Sequence, residues 1–187
     1  MQQQYIAKTL QGLENVLAKE LETLGAKDVE VLKRAVSFSG DKAMLYAANI
    51  YLRTAIKILQ PLTTFRADDV QELYDQILAF NWSEVMDVDD TFTIDNTVFS
   101  TTFTHSNYAA LKMKDALVDH FRNKFGRRRD VNNLDPTYRL NIRIKENEVS
   151  IALDTSGQSL HKRGYRTETH AAPMSEVQAA GLILLSG

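Results

Sequence analysis

At 187 residues the chain is long enough for one large domain or two small ones around a buried core. With no cysteine it can hold neither a disulfide nor a thiolate metal site, and no apolar run approaches the roughly 18 residues that span a bilayer. The polar start, Met1 to Tyr5, carries no signal region, so a cytoplasmic protein without a membrane partner is expected. The formal net charge of −2 argues against an evenly basic surface, but the charge is segregated. Between Arg66 and Asp95 nine acidic residues face Arg66 alone; between Lys112 and Lys145 ten basic residues outnumber four acidic ones. Such asymmetry can place a basic face inside a neutral total.

Tyr5 to Thr9 reads as a short strand. A helix follows Gly12, its apolar positions Leu13, Val16, Leu17, Leu21 and Leu24 at helical spacing, and Gly25 ends it. Val29 to Leu32 and Ala35 to Phe38 read as strands, Asp41 as the cap of a helix running to about Ile50, and Leu52 to Phe65 as holding a further strand. The order β-α-β-β-α-β is that of a ferredoxin-like split motif, with two helices on one face of an antiparallel sheet. Residues 1–65 thus form an assembly platform without chemistry of its own. The fold class expected for the whole is α+β.

A second unit begins near Ala67. Asp68 or Asp69 caps a helix carrying Val70, Leu73, Tyr74, Ile77 and Leu78, and Trp82 next to it is expected in the core. Thr91 to Phe99 alternates apolar and polar residues as a half-buried strand. The longest helix runs from Ser106 to about Phe125. Tyr138 to Lys145 and Glu148 to Asp154 then form a hairpin around Glu146-Asn147. In its first strand Arg139, Asn141, Arg143 and Lys145 share one face, and Tyr138, Leu140, Ile142 and Ile144 the other. Thr155 to Thr169 has little periodicity. Pro173 suits a first helical position, and Met174 to Leu185 reads as an apolar helix. Four apolar residues, Leu182 to Leu185, directly before the end suggest a chain cut from a longer one, with this helix left without its partner surface.

The basic residues are the functional candidates. On the long helix Ala110, Met113, Leu117, Phe121 and Phe125 fall on one side, and Lys112, Asp115, Asp119 and Arg122 on the other. Lys114 lies within the apolar arc, where it needs a route to solvent or a partner. Arg127-Arg128-Arg129 follow Gly126 with Asp130 the single adjacent acid, so they can present guanidinium forks to phosphate oxygens. Arg139, Arg143 and Lys145 on the strand and Lys162, Arg163 and Arg166 in the aperiodic stretch extend the same set.

Catalytic signatures are lacking. There is no phosphate-binding glycine loop and no Gly-x-Ser-x-Gly elbow. The four histidines, His105, His120, His161 and His170, show no i,i+4 pairing for zinc. The acidic run Asp87 to Asp90 lacks calcium-loop spacing and reads as a solvated turn.

Several segments together resemble one family: Ser106-Asn107-Tyr108, Lys112 to Asp119, Val149 to Asp154, Ser156-Gly157-Gln158-Ser159-Leu160-His161-Lys162-Arg163-Gly164-Tyr165-Arg166, and Ala172-Pro173-Met174-Ser175-Glu176 through to Gly187. The chain is similar to the THUMP-domain guanine-N2 methyltransferases of bacterial large-subunit ribosomal RNA, also described as N6-adenine-specific DNA methylases. The resemblance implies a ferredoxin-like subdomain over residues 1–65, an RNA-capturing THUMP domain over 66–155, and over 156–187 the linker and first helix of a Rossmann-like domain. It implies structured, ribosomal RNA as partner, a methyltransferase domain following in cis, and S-adenosylmethionine as the cofactor of the parent chain. The glycine-rich loop and Asn-Pro-Pro-Tyr motif that serve that cofactor are not in these 187 residues, so no catalytic or cofactor residue is expected here. Two other readings stay open: the front half of a transfer-RNA or DNA methyltransferase, and a protein-interaction module with a basic face.

Overall fold

The computed structural model describes residues 2–103, 106–126, 135–164 and 174–186. These divide into two compact units, residues 1–60 with 155–187, and residues 61–154.

The first unit contains β1 (Gln3–Lys8), α1 (Glu14–Thr23), β2 (Lys27–Leu32), β3 (Ala35–Gly40), α2 (Lys42–Tyr51) and the beginning of β4 (Lys57–Arg66). The strands lie in the order β2-β3-β1-β4, antiparallel throughout, which is the ferredoxin-like arrangement read from the sequence. Register explains the core. Tyr5 pairs with Phe38, and Ala7 with Val36 and Ile58, so these side chains share the face that meets Leu17, Leu21 and Ala48 of the two helices. The Tyr5 and Phe38 rings sit 5.4 Å apart. The helix ends follow local chemistry. Gly25, at φ +88°, lets its own N–H reach Glu22 O and that of Ala26 reach Leu21 O, answering carbonyls the helix leaves open. Asp41 caps α2 by accepting from Met44 N at 2.9 Å.

The aperiodic stretch after the hairpin is bound tightly within this unit. The Thr155 N–H and hydroxyl both donate to Ile58 O at 2.9 Å, and Ser156 Oγ accepts from Ile58 N at 2.8 Å. Leu160 N donates to Ile56 O, and its side chain packs against the first core. Low periodicity here reflects backbone pairing without regular structure. The last helix, α5 (Glu176–Ser186), starts later than the Met174 read from the sequence and leans on α1, while Pro173 lies outside the described residues. Val177 joins Leu13 and Val16 in a small apolar cluster, and Gly181 lies so close to Leu13 that a Cβ there would be 2.5 Å from Leu13 Cδ2. The helix expected to lack a partner thus folds back on the first unit, while Leu182 to Leu185 stay exposed.

The second unit holds the rest of β4, α3 (Val70–Ala79), a 3-10 turn at Trp82–Glu84, β5 (Phe92–Phe99), α4 (Ser106–Phe125), β6 (Tyr138–Lys145) and β7 (Glu148–Asp154). β5 runs parallel to β6, and β6 antiparallel to β7. Alternation along β6 sends Leu140, Ile142 and Ile144 into a core with Leu73, Ile77, Met113, Leu117 and Phe121. Trp82 is fully buried as expected, and its indole N–H donates to Ile77 O at 2.8 Å. Of the two candidate caps, Asp69 is the one used, accepting from Glu72 N at 2.8 Å while Glu72 accepts from Asp68 N. Asp87 N binds Asp90 Oδ2 at 2.8 Å, which closes the acidic run as a turn. The other face of β6 carries Arg139, Asn141, Arg143 and Lys145, outside this core; the first three are half-buried and Lys145 is exposed.

Candidate nucleic-acid interface

The basic residues singled out in the sequence fall into separate groups. Arg127, Arg128, Arg129 and Arg166 lie outside the described residues. Because β5 and β6 are parallel, α4 must run back along the sheet between them. Its 20 residues cover about 30 Å. Phe99, Lys145 and the first turn of α4 therefore share one end of the unit. Gly126, which the three arginines follow in sequence, lies at the other.

On α4, Lys112 is half-buried with its ammonium 5.6 Å from the Tyr108 ring centroid. Lys114 finds the partner that its place in the apolar arc required: its Nζ is 3.8 Å from Asp115. Phe125, assigned to the apolar side, stands largely exposed at the helix end, stacked on Phe121 at 5.9 Å. Between α3 and α4 lies a polar groove lined by Gln71, Tyr74, Lys112, Asp115, Asp119 and Arg122. There the Tyr74 hydroxyl donates to Asp119 at 2.8 Å and Arg122 donates to the same carboxylate at 2.9 Å. The Tyr74 phenol is pushed up, first because ionising it would forfeit its bond to Asp119, then by burial. Two cations and two carboxylates balance, so the groove has no surplus charge for an anion.

The basic face of β6 is more promising, and strand register shows which residue stands directly opposite each of its cations. Arg139 stands opposite Asp154 and Lys145 opposite Glu148. Arg143 is flanked by Thr97 on β5 and Ser150 on β7, both neutral hydroxyls. Cross-strand neighbours lie about 5 Å apart, close enough for an acid to answer a base directly. Arg143 therefore has no acid in register, whereas Arg139 and Lys145 each do.

Arg163 serves the backbone. Its Nε donates to Leu160 O at 2.9 Å, Nη1 to Ile50 O at 2.6 Å, and Nη2 to Asn49 O at 3.2 Å and Leu52 O at 2.7 Å. Four of the five guanidinium N–H groups are thereby used. Three of these carbonyls belong to the last turn and cap of α2, where a helix leaves acceptors open and its dipole favours a cation. This backbone role competes with the phosphate-binding role read for Arg163 from sequence. Nothing in the local sequence signals it, since the partners lie 111 to 114 residues earlier. Lys162 beside it remains exposed. Sequence reasoning also passed over Phe99, the last residue of β5, which is 64% exposed next to Lys145.

Among the described residues no cluster of histidine and carboxylate groups could hold a metal ion, and no helix is long and apolar enough to cross a membrane.

Residues 4–59 match the RlmL ferredoxin-like domain, and residues 67–154 match the THUMP domain. The chain thus carries an RlmL-type ferredoxin-like domain followed by a THUMP domain. Solved structures agree along nearly its whole length. One, described as a predicted N6-adenine-specific DNA methylase from Listeria monocytogenes, is 30% identical with a TM-score of 0.85, covering 99% of this chain and 48% of that one. SMU.472, solved in complex with SAH, is 29% identical with a TM-score of 0.84, covering 98% and 48%. TrmN from Thermus thermophilus, at 20% identity and a TM-score of 0.71 over 99% and 54%, shares the fold. The chain thus spans about half the length of these two structures.

Proposed function

We propose that this RlmL-like chain is the substrate-capturing portion of an S-adenosylmethionine-dependent RNA methyltransferase, with large-subunit ribosomal RNA as substrate and a guanine N2 as target. The observation that carries the reading is a THUMP domain whose sheet turns Arg139, Asn141, Arg143 and Lys145 away from its core on one face. Double-helical RNA hides its base edges in a deep, narrow groove, so a protein grips it through shape, phosphates and 2′-hydroxyls. A firm sheet with cations and hydroxyls supplies that grip. Chemistry on a base requires extrusion into a separate pocket, which separates capture from catalysis. The 187 residues contain no glycine-rich cofactor loop, so no methyl-transfer step is assigned to them. The cofactor reading rests on the relative solved with SAH, and the cytoplasmic setting follows from the substrate proposed.

The test is filter binding of structured RNA at several salt concentrations. Affinity should fall steeply with salt as neutralised phosphates release counterions. Replacing Arg127, Arg128 and Arg129 together with glutamine should weaken all RNAs alike and flatten the salt slope, because phosphate contacts carry no sequence information. Unchanged affinity would remove those three arginines from the RNA site, and no binding by the unmodified chain would overturn the reading.

A further inference from the structure

The exposed end of the second unit's sheet holds an aromatic side chain that neither core nor groove explains. Phe99 ends β5, and the preceding Val98 packs against the core, so alternation turns Phe99 onto the basic face. A single exposed apolar residue is ordinary on protein surfaces. Phe99 differs in its company and in how firmly it is held. In register it lies beside Lys145, and on its own strand it follows Thr97, which lies beside Arg143. Its carbonyl accepts from Glu146 N at 2.7 Å, and Glu146 is itself engaged by the Thr101 N–H and hydroxyl at 3.3 and 3.2 Å. The ring thus rises from backbone fixed on two strands. With same-face positions about 7 Å apart along a strand and about 5 Å across, Phe99, Lys145 and Arg143 fit within the footprint of one or two nucleotides.

The geometry points to this corner as a stacking platform for an unpaired nucleotide. Phe99 takes the base, and Arg143 and Lys145 take the flanking phosphates. The inference rests on the RNA-binding reading and narrows it: the RNA captured carries a single-stranded nucleotide beside its helix. A duplex keeps its bases stacked on one another and leaves an aromatic ring nothing to cover, whereas an unstacked base gains from an aromatic face whatever its identity. Arg143 is the better placed phosphate partner because no acid stands opposite it. Lys145 has Glu148 directly opposite it, and Asp95 lies on the same face further down β5.

The experiment compares two synthetic RNAs on the 187-residue chain: a blunt hairpin, and the same hairpin with a short single-stranded extension. The extended RNA should bind about tenfold more tightly. Phe99→Ala should remove that advantage while leaving the blunt hairpin unchanged, and Phe99→Trp should keep it. Arg143→Gln should weaken the extended RNA more than the blunt one. Phe99 is exposed, so its replacement leaves the fold intact, and unchanged thermal melting of each variant checks this. Equal binding of the two RNAs, or an equal response of both to Phe99→Ala, overturns the platform and leaves RNA capture standing. Failure of the unmodified chain to bind either RNA overturns both. An acidic peptide that displaces the extended RNA and loses its own binding on Phe99→Ala reassigns the corner to a protein partner.

Discussion

Both units turn carboxylates to backbone N–H groups, as Asp69, Glu72 and Asp90 do in the second, but they place their basic side chains differently. In the first, charge is turned inward to the backbone. Glu20 accepts from Arg53 N at 2.9 Å, Thr54 N at 3.1 Å and the Thr54 hydroxyl, while Arg163 donates to the carbonyls of Asn49, Ile50 and Leu52. One short turn, residues 49–54, is thereby answered on its N–H side by an anion and on its carbonyl side by a cation. Glu14 does the same at the α1 entrance, accepting from Gly12 N and Arg34 N. In the second unit charge stands on faces: Lys112 and Arg122 along α4, and Arg139, Arg143 and Lys145 along β6. The lesson is that a basic residue in a sequence belongs to a surface only after the backbone's requirements have been met. Lys162 and Arg163 are adjacent and equally basic, yet among the described residues only Arg163 binds the end of a helix.

The sharpest break in this comparison comes from the cores. Phe38→Ala in the first unit and Trp82→Ala in the second should each cost about 3–5 kcal/mol, from lost transfer energy and the cavity left behind. Both side chains are fully buried, and Trp82 also loses its bond to Ile77 O. Hydrogen exchange resolved by residue should show each loss greatest in its own unit; equal loss in both would mean that they unfold as one.

Arg163→Ala comes next, and it separates inward from outward charge. Leaving helix-end carbonyls without a donor should cost about 1–3 kcal/mol, and RNA affinity should not change. Chemical denaturation and filter binding on the same protein check both halves. Arg143→Gln should do the reverse, lowering RNA affinity while shifting stability by no more than about 0.5 kcal/mol. If Arg163→Ala weakens RNA binding without loss of stability, the division between the units fails.

The smallest effect concerns pH. Hydrogen bonding from its own backbone N–H, opposed by burial and then aided by the N–H groups of Arg34 and Gly12, holds the Glu14 carboxyl below its ordinary range. A depressed folded-state pKa gives stability that is present above the unfolded value and is lost as pH falls through the folded one. Acid titration of unfolding should show this loss at the low end of the carboxylate range, and Glu14→Gln should flatten it while leaving neutral-pH RNA binding untouched.

Local signals carried much of the fold. Gly25 after a helical apolar stripe, Asp41 before one and the alternation from Phe92 to Phe99 each depend on neighbours a few residues away, and each predicts its element. The order β-α-β-β-α-β then leaves few ways to pair four strands. The site was less legible because it depends on register. Alternation shows that Phe99 faces away from the core, but its place beside Lys145 follows from the parallel pairing of strands 46 residues apart. The same holds for Arg139, whose facing Asp154 is visible only once the hairpin is aligned. The polar stretch from Thr155 looked like a linker because its hydrogen-bond partners, Ile56 and Ile58, are roughly a hundred residues earlier.

Those distant bonds also set an order of events during synthesis. The first unit begins at the start of the chain, yet Thr155 and Arg163 join it from 97 and 113 residues after Ile58 and Ile50. At about 5–20 residues per second, a ribosome needs roughly 5–20 s to make the intervening hundred residues. Through that interval the end of α2 presents its carbonyls to water, and the whole second unit is made before the first receives its last segment. Contacts so distant in sequence carry a high loop-closure cost and form slowly. The part of the chain that emerges first is therefore among the last to be finished.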